Sequence, residues 1–178
     1  MDALRDRIPD YARDLRLNLS SVLTPQGAPG LSETQLWMTA LASAIASRNA
    51  ELARAIETVA AGKLAAAEIE AARSASAIMG MNNVYYRFLH LVEDEEYAKL
   101  PARLRMNVIG SPGIPKVDFE LVSLAVSAVN GCGKCVTAHE RVLRQHEVSR
   151  EAVQSAVRIA SVIHAVAGVI DYENARAA

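Results

Sequence analysis

Apolar residues recur at helical spacing along most of this chain, and runs that alternate apolar with polar are scarce. That pattern restricts the fold to packed helices. Composition points the same way: aromatic residues make up only 4% of the sequence and alanine is abundant, which favours closely packed helices over a β-sandwich. With 51% hydrophobic residues the 178-residue chain can build a core without disulfide staples, and we treat residues 1–178 as a single all-α domain. Punctuation residues divide it. Helices are expected from Asp10 to Val22, from the Ser32/Gln35 capping box to about Ser47, and from Asn49 to near Gly62. Leu64–Met79 and Asn82–Val92 follow as successive helical segments. Leu100 to Lys116 holds Pro101, Pro112, Gly113 and Pro115 and reads mostly as loop. Helices then run from Asp118 to Gly131, from Cys132 to His146, and from Ser149 to about Ile170, with a frayed tail from Asn174.

A weak self-similarity appears at an offset of 84 residues. Ser43-Ala44-Ile45 resembles Ser127-Ala128-Val129, Ala72 falls on Ala156, and Ile78 on Val162. Alanine-rich helices also produce such matches by chance. If the repeat is real, the chain consists of two fused helical halves, about 1–92 and 116–178, joined by the Pro/Gly loop. At that offset Arg48 and Glu51 hold the places of the two cysteines.

Net charge is −1, so no electrostatic footprint for nucleic acid is visible. The segment Met1 to Asp14 is charged and lacks the apolar core of a signal peptide. Uncharged runs such as Leu121 to Gly133 fall short of the roughly 18 apolar residues of a membrane span. A cytoplasmic protein without membrane association is expected. In a reducing cytoplasm two cysteines three residues apart make a poor staple, and they point to chemistry instead.

The chemistry-bearing segment is Gly131-Cys132-Gly133-Lys134-Cys135-Val136-Thr137-Ala138-His139. If Cys132 opens a helix at about 100° per residue, Cys135 lies about 60° to one side and His139 between them. Val136 and Leu143 fall near the same stripe, so the thiols should face the interior. Helical residues three apart have Cα atoms about 5 Å apart, within disulfide range. A helix N-terminus stabilises a thiolate, and His139 stands one turn beyond Cys135 as a base. Lys134 projects about 130° from the stripe, towards solvent. Other readings stay open on this pattern alone: a metal site with His139 and His146, or two inert core thiols. The first is disfavoured because all four ligands would sit on one helix, with His146 too far along it. Glu120 could be no more than a carboxylate in a first helical turn. His90, His146 and His164 show no partner in the sequence and read as structural.

The spacing Glu120, Cys132, Cys135, His139 resembles the signature of the carboxymuconolactone decarboxylase-like superfamily, and within it the alkyl hydroperoxidase D family. Flanking segments are similar too: Tyr11-Ala12, Leu17-Asn18-Leu19-Ser20-Ser21, Met79-Gly80-Met81-Asn82-Asn83-Val84, Leu104-Arg105-Met106-Asn107, Ser111-Pro112-Gly113-Ile114-Pro115, Phe119-Glu120-Leu121 and Ala125-Val126-Ser127-Ala128. The resemblance spans roughly residues 8–170. It implies an all-α helical bundle assembled as a homotrimer, with an antioxidant role and hydroperoxide reductase activity. It implies no resident cofactor and no metal. The electrons would come from the lipoyl group of a partner protein, and the dithiol would in turn reduce a peroxiredoxin, alkyl hydroperoxidase C. Carried over, Cys135 resembles the thiolate that becomes a sulfenic acid. Cys132 resembles the proton donor and resolving thiol, which also forms the mixed disulfide with the partner. His139 and Glu120 resemble the base and acid of a proton relay. Some family members have histidine where this chain has Lys134, whose charged amine cannot shuttle protons in the same way. That departure bears on peroxidase efficiency more than on dithiol exchange. A thiol-disulfide carrier with little peroxidase activity is the alternative. The lactone decarboxylase branch lacks the cysteine pair.

Overall fold

The computed structural model describes residues 1–177. Among them there is no strand. After a short N-terminal turn, α1 (Asp2–Arg5), and a 3-10 turn at Asp10–Ala12, the helices are α2 (Arg13–Val22), α3 (Glu33–Ala46), α4 (Ala50–Ala60) and α5 (Ala66–Leu91). Two short helices follow, α6 (Glu95–Lys99) and α7 (Asn107–Gly110), then α8 (Lys116–Val129), α9 (Gly133–Gln145) and α10 (Arg150–Ala177).

The helices α3 and α8 are the centre of the molecule. Both are apolar nearly all round, and a helix of that kind must be enclosed. Leu36 to Ala44 of α3 and Phe119 to Ser127 of α8 are buried without interruption. They pack on each other and on α5 and α10; α4 covers α3, and α9 covers α8. The main core so formed includes Met38, Leu41, Ile56, Phe119, Val122 and Ile163, and a smaller cluster of Leu121, Leu124, Leu143 and Ala156 lies where α8, α9 and α10 meet.

Local signals place most boundaries. Ser32 Oγ accepts from the Gln35 N–H and Gln35 Oε1 accepts from the Ser32 N–H, completing the capping box. Asn49 Oδ1 accepts from the Leu52 N–H at 2.7 Å, and its Nδ2 donates to Asp171 Oδ1 at 2.6 Å, so the cap of α4 also anchors α10. Other expectations need correction. Leu64–Met79 and Asn82–Val92 belong to one 26-residue helix, α5, because Gly80 interrupts neither hydrogen bonding nor packing. The helix expected from Asp118 begins at Lys116, just after Pro115. The tail is helical to Ala177, held by Tyr11 Oη donating to Glu173 and Arg7 donating to Asn174; Ala178 lies outside the described residues. The Pro/Gly segment contains α7, and its Val108, Ile109 and Ile114 pack on the core. Finally, α10 is long and apolar enough to cross a membrane, which a count of uncharged residues overlooks. Half of its apolar window is buried against neighbouring helices.

Helix starts recur along the chain. α3, α4 and α5 begin at residues 33, 50 and 66, and α8, α9 and α10 at 116, 133 and 150. The spacing is 83 residues for the first two pairs and 84 for the third. At 83, Cys132, Cys135 and His139 fall opposite Asn49, Leu52 and Ile56, not opposite Arg48 and Glu51. Arg48 instead falls opposite Gly131, and both take positive φ, 62° and 68°.

Asn49 holds two helices through one buried side chain. Asn49→Ala is expected to lower unfolding free energy by about 2–3 kcal/mol, from one lost cap and one lost buried hydrogen bond. Urea denaturation followed by circular dichroism measures it, and a loss below about 0.5 kcal/mol would show that neither bond matters.

Candidate functional site

The turn between α8 and α9 builds the site. After the α8 C-cap, Asn130, Gly131 takes φ 68°, the left-handed conformation in which a glycine ends a helix at little steric cost. Its N–H donates to Ala128 O, and the Cys132 N–H donates to Ser127 O at 3.0 Å. These two bonds satisfy carbonyls that the end of α8 would otherwise leave open. Cys132 is not the first residue of the next helix, as the spacing suggested, but its N-cap: Sγ accepts from the Cys135 N–H at 3.3 Å. Cys135 is the third residue of α9. The two sulfurs are joined in a disulfide, with Cα atoms 5.3 Å apart.

The two thiol positions differ. Cys132 is fully enclosed, whereas Cys135 is 6% exposed and borders a cavity of about 260 Å³. His139 lines the same cavity, one turn along α9. Its Nδ1 lies 2.6 Å from Glu120 Oε2. Glu120 is 5% exposed and sits in the buried run of α8, so it is no mere first-turn carboxylate. A buried carboxylate needs a partner, and His139 supplies it. With Nδ1–H donating to Glu120, Nε2 is the nitrogen left to accept a proton. The four residues singled out in the sequence thus come together between α8 and α9, with Cys135 and His139 lining the cavity and Glu120 bonded to His139 from the buried run of α8.

The remaining walls come from elsewhere in the chain. Met79, Asn82 and Tyr86 of α5, and Met106 and Ile109 around α7, complete the cavity. The walls are mostly apolar, and Tyr86 Oη faces the sulfur of Met106 at 3.9 Å. Spacing arguments on α9 could not reach these residues. Lys134 is exposed as expected, yet it also stands at the rim of the cavity beside Cys135. Of the other histidines, His164 Nδ1 lies 3.3 Å from Ser47 Oγ on the surface. His146 is exposed and does not line the disulfide's cavity; His90 is exposed and lines a neighbouring one with Gly133, Lys134 and Ala138.

Residues 95–175 match the carboxymuconolactone decarboxylase family. Over 175 residues the chain is 58% identical to an alkyl hydroperoxide reductase AhpD of Rhodospirillum centenum, covering 98% of this chain and 92% of the relative. It is 58% identical over 168 residues to a protein of the same name from Frankia alni, covering 94% of this chain and 89% of the relative. A third, from Streptomyces griseus, is 56% identical over 173 residues, with 97% and 96% covered.

The Glu120–His139 contact should behave as one unit. His139→Ala and Glu120→Ala should each destabilise the fold, because each leaves a buried polar partner unpaired. The double variant should cost less than the two single costs added, by about 1–3 kcal/mol. A double-mutant cycle in urea measures this coupling; additive costs would mean that the 2.6 Å contact carries no energy.

Proposed function

The chain belongs to the alkyl hydroperoxide reductase AhpD family, and from that premise we propose that it reduces organic hydroperoxides through a Cys135 thiolate. The observation that carries this reading is the unequal setting of the two thiols: Cys135 borders the cavity with His139, while Cys132 lies enclosed behind it.

In the reduced chain His139 takes the proton of Cys135, and Glu120 stabilises the imidazolium that results. The thiolate attacks the distal peroxide oxygen. An S–O bond forms, the O–O bond breaks, and Cys132 gives its proton to the departing alkoxide. The Cys132 thiolate accepts a hydrogen bond from the Cys135 N–H at the start of α9, a placement that favours its charge. It attacks the sulfenic acid, closes the disulfide, and the leaving hydroxide takes the proton held on His139. One hydroperoxide and two thiols yield one alcohol, one water and one disulfide. A dithiol of the dihydrolipoyl type, carried by a partner protein, reopens the bond by exchange. The dithiol form in turn serves a peroxiredoxin of the alkyl hydroperoxidase C type. A mixed disulfide on Cys132 requires that residue to come to the surface; Gly131 and Gly133 flank it, and an added Cβ at Gly133 would meet nothing within 4 Å.

The same reading takes the chain as one protomer of a cytoplasmic homotrimer. An exposed apolar face formed by Val84, Phe88 and Leu91 of α5 with Tyr97 and Leu100 supports self-association. Phe88 and Tyr97 meet edge to face within it.

Cys135→Ser should abolish hydroperoxide turnover. Cys132→Ser should still be oxidised once, leaving a Cys135 sulfenic acid that dimedone traps with a mass shift on that peptide. Turnover retained by Cys135→Ser refutes the assignment. A wild-type chain that exchanges with disulfides but leaves cumene hydroperoxide untouched is a thiol-disulfide carrier instead.

A further inference from the structure

The motif Met79-Gly80-Met81-Asn82-Asn83-Val84 is not explained by the thiol chemistry, and its two asparagines have opposite fates. Asn83 is fully engaged: its Nδ2 donates to Ser127 Oγ at 2.9 Å, and its Oδ1 accepts from Asn130 Nδ2 at 2.9 Å. It ties the middle of α5 to the α8–α9 turn. Asn82, one position earlier, is 4% exposed and lines the cavity that Cys135 and His139 border. Its Oδ1 is buried and has no protein partner. A buried amide oxygen left without a partner costs about 1–3 kcal/mol, so a fold retains one only where something else uses it. The other buried side-chain atoms without partners among the described residues are the hydroxyls of Thr39, Ser43 and Ser123. Each of those lies on a helix and can rotate towards a carbonyl of its own preceding turn. The Asn82 carboxamide has no such refuge, and the bond network of Asn83 next to it holds the backbone there.

We propose that Asn82 is a substrate-binding residue: a turn of its carboxamide about the Cβ–Cγ bond presents Oδ1 to the cavity, where it accepts a hydrogen bond from the terminal O–H of the hydroperoxide and so holds the distal oxygen towards Cys135. An alkyl hydroperoxide has one donor, that O–H, and otherwise an apolar body. The cavity has the complementary make-up: methionine, isoleucine, tyrosine and alanine surfaces, with the Asn82 carboxamide in the wall and its partnerless Oδ1 turned inward behind that wall. Glu120 already occupies Nδ1 of His139, and Nε2 is reserved for the thiol proton. Asn82 takes no part in bond making: the S–O bond forms and the O–O bond breaks as described above, with Asn82 fixing the angle of approach. This inference rests on the peroxide-reducing reading of the site and deepens it.

The test uses the full-length reduced chain with Asn82→Leu and Asn82→Ala, and two reagents at Cys135. Cumene hydroperoxide carries the O–H; methyl methanethiosulfonate has none and reports only the thiolate. Both variants should oxidise about 3- to 10-fold more slowly with the hydroperoxide, as expected for one lost hydrogen bond. Their rates with the thiosulfonate should equal the wild type. Melting of Asn82→Leu should hold or rise, because an amide oxygen without a protein partner has been removed. Equal rates with the hydroperoxide overturn the proposal, as does a matching loss with both reagents, which would place Asn82 behind the thiolate and not on the substrate. Should Asn82→Leu fail to fold, Asn82→Ala decides by the same comparison; failure of both assigns Asn82 to the fold and overturns the proposal. A wild type inert to hydroperoxide but open to the thiosulfonate overturns the peroxidase reading and this inference with it. A reactive wild type with indifferent variants removes Asn82 alone.

Discussion

Cys132 belongs to two helices at once, and the site depends on that. Its N–H closes the end of α8 on Ser127 O, and its sulfur caps the start of α9 at the Cys135 N–H. A single residue therefore fixes how the two helices leave one another, with Gly131 supplying the left-handed turn between them. Once that turn is set, Glu120 on α8 and His139 on α9 face each other, and Cys135, bonded to Cys132, shares a cavity with His139. The α3–α4 turn has the same form, with Arg48 at positive φ and Asn49 as the cap, but its facing positions are filled by Trp37, Leu52 and Ile56. Those three side chains are buried in the core, so that turn carries no comparable chemistry.

The turn also gives the two sulfurs unequal surroundings. A thiolate at Cys132 is favoured by a backbone N–H and by the partial charge of the α9 N-terminus, and it is closed to solvent. A thiolate at Cys135 opens on an apolar cavity that His139 also lines, and under the proposed mechanism it forms by proton transfer to His139. In the proposed mechanism the first setting suits a resolving thiol that closes on an adjacent sulfenic acid, the second a nucleophile that meets the substrate. The apolar walls matter because a carboxylate–imidazole pair acts more strongly where water is scarce. Most of those walls come from α5 and the α7 region, so the core packing of α5 against α8 is also what shapes the site.

Much of this was legible in the sequence, because it depends on local rules. Helix spacing, the Ser32 and Asn49 caps, and the stripe shared by Cys132, Cys135 and His139 follow from neighbours along the chain. The family-like spacing of Glu120 brought in one residue from the preceding helix. What was not legible depends on tertiary contact. Asn82 and Asn83 look equivalent in sequence, and only the packing of α5 on α8 turns one to Ser127 and the other to the cavity. The Pro/Gly segment read as a connector, yet Met106 and Ile109 from it wall the site. The offset of 84 misplaces the counterparts of the cysteines by one residue, because that spacing holds only after α9, which is two residues longer than α4 and followed by a loop one residue shorter. Spacing alone makes Cys132 the first helical residue; its cap role lies in its backbone angles, φ −93° and ψ 88°, outside the helical region.

The central claim is that the two thiols divide their work by position. The most direct measurement is competitive labelling of the reduced chain with substoichiometric N-ethylmaleimide at neutral pH, followed by digestion and quantification of each cysteine by mass spectrometry. Cys135 should be modified about tenfold faster than Cys132 or more, since it alone opens on the cavity and has His139 beside it. Equal labelling, or faster labelling of Cys132, would contradict the account.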